Sequence, residues 1–225
     1  QRMPKNLWSQ KNDGEKLNWY QAENEIEEME IVVRQIRNKI LLVGRRYFEF
    51  AILYRSNYQS RLLEETLREA KIPYHIVGAT SYYDREEIRD VIAYLKVIYN
   101  SNDEVSLQRI VNVPRRGIGK ISLMKAISYS KDMSIPLFKV MRNARKNSSL
   151  TKDSALTMEI FSGIIENFRQ RFSTESLGIV LKDLLDEIGY IRYLETQRID
   201  IKARELRVNN VNELLVSVKN YSEKN

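Results

Sequence analysis

The hydrophobic pattern of this chain changes once, at Gly78, and that change limits the folds open to it. Before Gly78, residues 17–22, 50–53 and 74–77 are short apolar runs bounded by polar turns, and they read as strands. Leu7 and Trp8 add a further extended piece. Between them, Ile26, Met29, Val32, Val33 and Ile36 mark one face of a helix over about residues 23–38, with acidic first turns that suit its dipole. After Gly78 nothing alternates. Ile88, Val91, Ile92, Leu95 and Ile98 fall at helical spacing, as do Leu107, Ile110 and Val111, then Leu123, Ala126 and Ile127. Leu156, Ile160, Ile164 and Phe168 predict a long helix, Leu177, Leu181, Leu184 and Leu185 another stopped by Gly189, and Val211, Leu214, Leu215 and Val218 a last one. Residues 143–153 read as a mobile loop. The expected class is therefore α/β with a partial parallel sheet, followed by a larger all-α domain, and mostly α overall. The expected domains are residues 1–80 and 81–225.

Within the first domain, residues 50–61 (FAILYRSNYQSR) read as strand, polar turn and amphipathic helix. Ligands of open α/β sheets bind at the carboxyl ends of strands, where this pattern places Arg55 and Asn57. A guanidinium and an amide held there suit phosphate and a sugar or base edge. The same pattern equally fits a solvated turn.

A second candidate lies at residues 114–120, Pro-Arg-Arg-Gly-Ile-Gly-Lys, between two predicted helices. Paired glycines permit a tight turn and a close backbone approach, and the helix that follows opens with free N–H groups. With Ser122 and the charges of Arg115, Arg116 and Lys120, such a loop would grip one or two phosphates. A corner that needs glycine only for packing is the alternative. Location of the charge favours the first reading. The net charge is +7, and residues 109–152 carry eleven Lys and Arg against Asp132 alone. A polyanion is the natural partner of that segment.

Other classes are excluded or disfavoured. With no Cys, the chain has no disulfide framework, Cys-based zinc site or thiol nucleophile. No apolar run approaches the ~20 residues of a membrane span, and the first residues lack the core of a signal peptide, so a cytoplasmic setting is expected. His75, the one His, has no companion Ser, Cys or ligand cluster and is expected to be structural. The acidic run Glu23, Glu25, Glu27, Glu28 and Glu30 reads as a solvated helix face rather than a metal site.

Three stretches in order, FAILYRSNYQSRLLEETLREAKIPYHIVG, SYYDREEIRDVIAYLKVI and VNVPRRGIGKISL, closely resemble the UvrD, PcrA and Rep group of superfamily 1 DNA helicases. The resemblance implies that residues 1–80 are the front part of the second RecA-like motor domain and residues 81–225 the helical domain inserted in it. It implies single-strand contacts at Arg55 and Asn57, with Tyr82 a candidate for base stacking. Ser81 stands where the family often has a basic residue. It also implies duplex contacts across Arg115, Arg116, Gly117, Ile118, Gly119, Lys120 and Ser122, and a hinge near Asp84 and Arg85. The family's phosphate loop, acidic metal ligand and arginine finger have no counterpart in this chain, which resembles a fragment. ATP and Mg2+ would belong to the full-length enzyme and none to this part, which should be catalytically inactive alone. The expected partners are DNA, as single strand and duplex junction, with possible repair or transcription proteins, and no membrane. The implied role is a 3′ to 5′ helicase in DNA repair or replication restart. A non-catalytic docking module, or a subunit of an AddA- or RecB-type helicase–nuclease, is the alternative.

Overall fold

The computed structural model describes residues 14, 16–55, 57–78 and 80–224, and divides the chain into two compact units at Ser81 and Tyr82. In the first unit, α1 (Glu25–Val43) starts where Asn24 Oδ1 accepts from Glu27 N at 3.0 Å and stops at Gly44, whose φ of 71° is left-handed. Met29, Val33 and Ile36 on its apolar face pack on Leu63 and Leu67 of α2 (Asn57–Glu69) and on Ile72. The Arg37 guanidinium donates to Ala70 O at 3.0 Å, which satisfies a carbonyl left open at the end of α2.

The expected sheet is absent. Among the described residues there is no strand, and the expectation of an α/β class is corrected to all-helical, with mostly α retained. Residues 50–54 and 72–76 run without helix or ladder and face a cleft of about 460 Å³. Residues 16–22 likewise lie outside any regular element, and Leu7 and Trp8 fall outside the described residues. The physical reason is that an apolar run supplies only half of a strand. The other half is a neighbouring backbone whose N–H and C=O groups complete the ladder, and no described segment takes that place. Leu53 and Val77 accordingly stand 95% and 86% exposed, and His75, expected within a buried strand, is exposed.

The second unit is a helical assembly. Its centre is α3 (Glu86–Tyr99), with Ile88, Val91, Tyr94 and Val97 fully buried. Against it pack α4 (Glu104–Ile110), α7 (Lys152–Phe172) and α10 (Ile201–Lys224), and α5 (Lys120–Asp132), α6 (Leu137–Arg142), α8 (Leu177–Glu187) and α9 (Tyr190–Glu195) complete the same core by packing on these and on one another. Met158, Phe161, Ile165 and Phe168 of α7 form the apolar stripe that faces this core. Residues 143–153, expected as a loop, hold a 3-10 turn at Ala144–Lys146 with Ala144 and Asn147 buried, and α7 begins at Lys152.

The start of α3 is tied to the far end of the unit by polar contacts. Tyr82 Oη donates to Asn210 O at 2.7 Å, Arg85 to Asn210 Oδ1 at 2.6 Å, and Asn210 Nδ2 to Glu87 Oε1 at 2.6 Å. Beside them Asp90 accepts from Arg109 Nε at 2.7 Å and from Tyr190 Oη at 2.9 Å. Burial nevertheless raises the Asp90 carboxyl above its ordinary range, outweighing the Tyr190 hydroxyl and the Arg109 charge. Tyr190 is pushed far above the usual phenol value, first by burial and then by the Asp90 charge.

Candidate nucleic-acid interface

The glycine loop joins α4 to α5, and its shape is set from inside the unit. Asn112, just past α4, donates from Nδ2 to Ile118 O at 2.5 Å and accepts from Ile118 N at 3.3 Å. The Ile118 side chain is 2% exposed and anchors the loop in the core. Arg116 turns inward. Its Nη1 donates to the carbonyls of Ile110, Val111 and Pro114 at 2.9, 3.2 and 3.1 Å, and its Nη2 to Tyr94 Oη. The guanidinium carbon lies 4.7 Å from the centre of the Phe161 ring. A cation at the carboxyl end of α4 completes carbonyls that the helix leaves open and complements its dipole. Tyr94 in turn donates to Val113 O at 2.5 Å, and burial pushes its hydroxyl up to about 12.

The clamp leaves a defined outer surface. Arg115, Gly117, Gly119 and Lys120 are exposed. Gly117 has φ +79°, a conformation that costs other residues energy, whereas Gly119 has φ −61° and ψ 150°. A Cβ placed on Gly119 would meet nothing within 4 Å, so neither backbone nor packing demands glycine there. Gly119 is the N-cap of α5 and offers no side-chain oxygen to that helix's first N–H groups. Ser122, in the first turn, lies 2.9 Å from Ser154 through their hydroxyl oxygens.

The structure thus brings Arg115, Gly117, Gly119, Lys120 and the start of α5 to one exposed corner, while Arg116 and Ile118 hold that corner from within. Four of the eleven cations of residues 109–152 have partners inside the protein: Arg109 with Asp90, Arg116 with carbonyls, Lys125 with Ser149 O at 2.9 Å, and Arg145 with Glu159 at 3.0 Å. Tyr82 is fully buried, with its ring edge-on to Tyr83, so its faces are occupied by protein. In the first unit Arg55 is exposed ahead of α2, its backbone N donating to Gln59 Oε1 at 3.2 Å, and Asn57 opens that helix. Ser81 donates to Glu64 Oε2 at 2.5 Å. Sequence reasoning missed Asn112 and Tyr94, whose partners become visible only when α3 and the loop meet.

Among the described residues, no group of three His, Cys, Asp or Glu is placed to hold a metal ion, and no helix is long and apolar enough to cross a membrane.

Comparison with known proteins assigns the whole chain. A profile of the UvrD-like helicase C-terminal domain matches residues 1–225. The chain is 38% identical over 223 residues to an ATP-dependent DNA helicase PcrA of Staphylococcus epidermidis, and 37% identical over 226 residues to the helicase of the same name from Staphylococcus aureus. Each match covers 99% of this chain and 30% of the relative. A match of that extent, on a chain whose glycine loop is folded and exposed, makes this protein a member of the UvrD-like helicase C-terminal domain family.

Proposed function

We propose that this chain is the DNA-contacting part of an ATP-dependent DNA helicase that acts in repair or replication restart, and that its second unit holds the duplex by the phosphate backbone. The observation that carries the reading is the outer corner of the glycine loop. There an uncapped helix start, two exposed glycines, Arg115 and Lys120 form a surface fixed from behind by Asn112 and Arg116. N–H groups at a helix start bind anions, and contacts to phosphate carry no base information. The first unit is assigned to the motor side, where Arg55 and Asn57 meet the single strand. Residues 1–80 and 81–225 act as separate domains in this reading, with the contacts around Asp84 and Arg85 serving as the pivot. The full-length protein is a cytoplasmic 3′ to 5′ enzyme.

ATP and Mg2+ belong to that longer protein. The residues of this chain do not fit them: its sequence has no Gly-x-x-x-x-Gly-Lys-Ser/Thr loop, and the described acids do not converge. The part this chain plays is binding and orientation. Repair or transcription proteins are further partners in the same proposal.

A salt titration of duplex binding by the 225-residue chain tests the reading. Affinity should fall linearly on a log–log plot with little dependence on sequence, each phosphate contact contributing about 0.9 to the slope. A flat salt dependence, or strong preference for one sequence, would overturn it.

A further inference from the structure

Beside the glycine loop is a second feature that the reading above does not use. A cavity of about 540 Å³ opens at the start of α7, with Arg145, Asn147, Ser148, Lys152 and Asp153 in its wall. Asn147 is 4% exposed, and only half of its amide is engaged. Its Oδ1 accepts from Ser149 N at 3.0 Å and from Ser149 Oγ at 2.6 Å, whereas Nδ2 is buried without a hydrogen-bond partner. A buried amide donor left unmade is costly, and it is uncommon without a ligand or water to complete it. The 21-residue helix α7 begins in the same wall. Thr151 caps it by accepting from Ser154 N at 3.3 Å, which leaves the N–H groups of Lys152 and Asp153 for another acceptor.

The cavity is joined to the glycine loop. Ser122 in the first turn of α5 meets Ser154 in the first turn of α7 at 2.9 Å, and Lys125 of α5 donates to Ser149 O at 2.9 Å. Two helix starts therefore lie side by side. Lys152 and Lys146 are exposed here, Arg145 is held to Glu159 at 3.0 Å, and Asp153 is the opposing acid in the wall.

We infer that the cavity at the start of α7 is a second phosphate site, which takes a phosphodiester of the same duplex that the glycine loop engages. The inference rests on the duplex-binding reading. Its ligand accepts from Asn147 Nδ2, from the Ser148 hydroxyl and from the first N–H groups of α7, while Lys152 supplies charge. Two contacts on adjoining helix starts would fix the direction of the duplex as well as its position, because a single phosphate contact leaves rotation open.

The test uses the 225-residue chain and a duplex of mixed sequence. Lys152→Ala should reduce the log–log salt slope by about 0.9, Lys120→Ala by the same amount, and the double variant by about 1.8. Ser148→Asp, an exposed change that puts a negative charge at the mouth, should weaken binding about tenfold while circular dichroism is unchanged. In nuclear magnetic resonance spectra the Asn147 side-chain amide should shift on addition of duplex at matched ionic strength. If Lys152→Ala keeps the full slope while Lys120→Ala loses 0.9, the second site is wrong and the glycine-loop reading stands. The reverse pattern would keep the second site and remove the loop. No change in either variant would remove both. An Asn147 signal that moves with inorganic phosphate but not with duplex would make the cavity a small-anion site and overturn the inference.

Discussion

Asn112 holds Ile118 through the two peptide units that flank its Cα, donating to its carbonyl at 2.5 Å and accepting from its N–H at 3.3 Å. A side-chain amide used this way acts as a short piece of ladder, and it fixes the loop in the absence of any strand. The glycines on either side of Ile118 consequently face outward in a shape that exists before a ligand arrives. Such preorganisation removes an ordering cost from binding.

Arg116 and Lys120 should separate cleanly on this account. Arg116→Ala strips a donor from three carbonyls and from Tyr94, and should cost about 2–3 kcal/mol of stability. Arg116→Lys should recover little, since an ammonium cannot span the fork or stack on Phe161. Lys120→Ala should leave stability within about 0.5 kcal/mol and lower the salt slope by about 0.9. Thermal unfolding and salt titration of the three variants check this. A flattened slope with unchanged stability for Arg116→Ala would show that its side chain leaves the interior to reach DNA.

The two glycines make a second contrast. Gly117→Ala is strained by its φ of +79° and should cost about 1–2 kcal/mol. Gly119→Ala keeps an ordinary backbone in open space, so unfolding should change by less than about 0.5 kcal/mol. Its effect should appear in duplex binding, where a methyl group obstructs phosphate at the start of α5. Wild-type affinity for folded Gly119→Ala would mean that no ligand comes close there.

These contrasts show what the sequence carried and what it did not. The spacing of Ile88, Val91, Leu95 and Ile98 announced α3, and that of Leu156, Ile160, Ile164 and Phe168 announced the existence of α7 but not its buried face, since Leu156 and Ile160 are exposed and Met158, Phe161 and Ile165 turn to the core with Phe168. The helices α6 and α9, six residues each, are too short to show a period and went unseen. The runs at 50–53 and 74–77 were misread because pairing depends on residues elsewhere in the chain. The glycine loop was legible from its letters. The inward course of Arg116 was not, since a guanidinium has the same charge in either direction and its partners Tyr94 and Phe161 lie on other helices.

Asp90 predicts a pH dependence of stability. Its folded carboxyl is raised by burial, so its contribution is fully present below the unfolded value of about 3.9 and is lost as pH rises through the folded value. The stability of wild type relative to Asp90→Asn should therefore be greatest in acid and decline as pH rises above about 4. Denaturant unfolding of both proteins between about pH 3.5 and 7 measures it. An advantage that grows with pH would mean that pairing with Arg109 and Tyr190 outweighs desolvation.

Arg55 offers a test of the assignment of the two units. In the longer helicase proposed above, Arg55→Ala should weaken single-strand binding roughly tenfold and leave blunt-duplex affinity within about twofold, in keeping with one lost charge-assisted contact. Equal losses on both substrates would join the two contact surfaces into one.

The bond from Tyr82 to Asn210 spans 128 residues of chain. A ribosome adding about 5–20 residues per second needs roughly 6 to 26 s to pass from one to the other. Throughout that interval the Tyr82 hydroxyl, in the 3-10 turn before α3, lacks its acceptor, and Glu87, in the first turn of α3, lacks the amide that binds it. The second unit therefore cannot complete its native structure as it emerges, and local helix pairs must wait for α10 to close the loop. A pause in synthesis or a truncation before Asn210 would leave the Tyr82 ring and the apolar side of α3 open to water and to other chains.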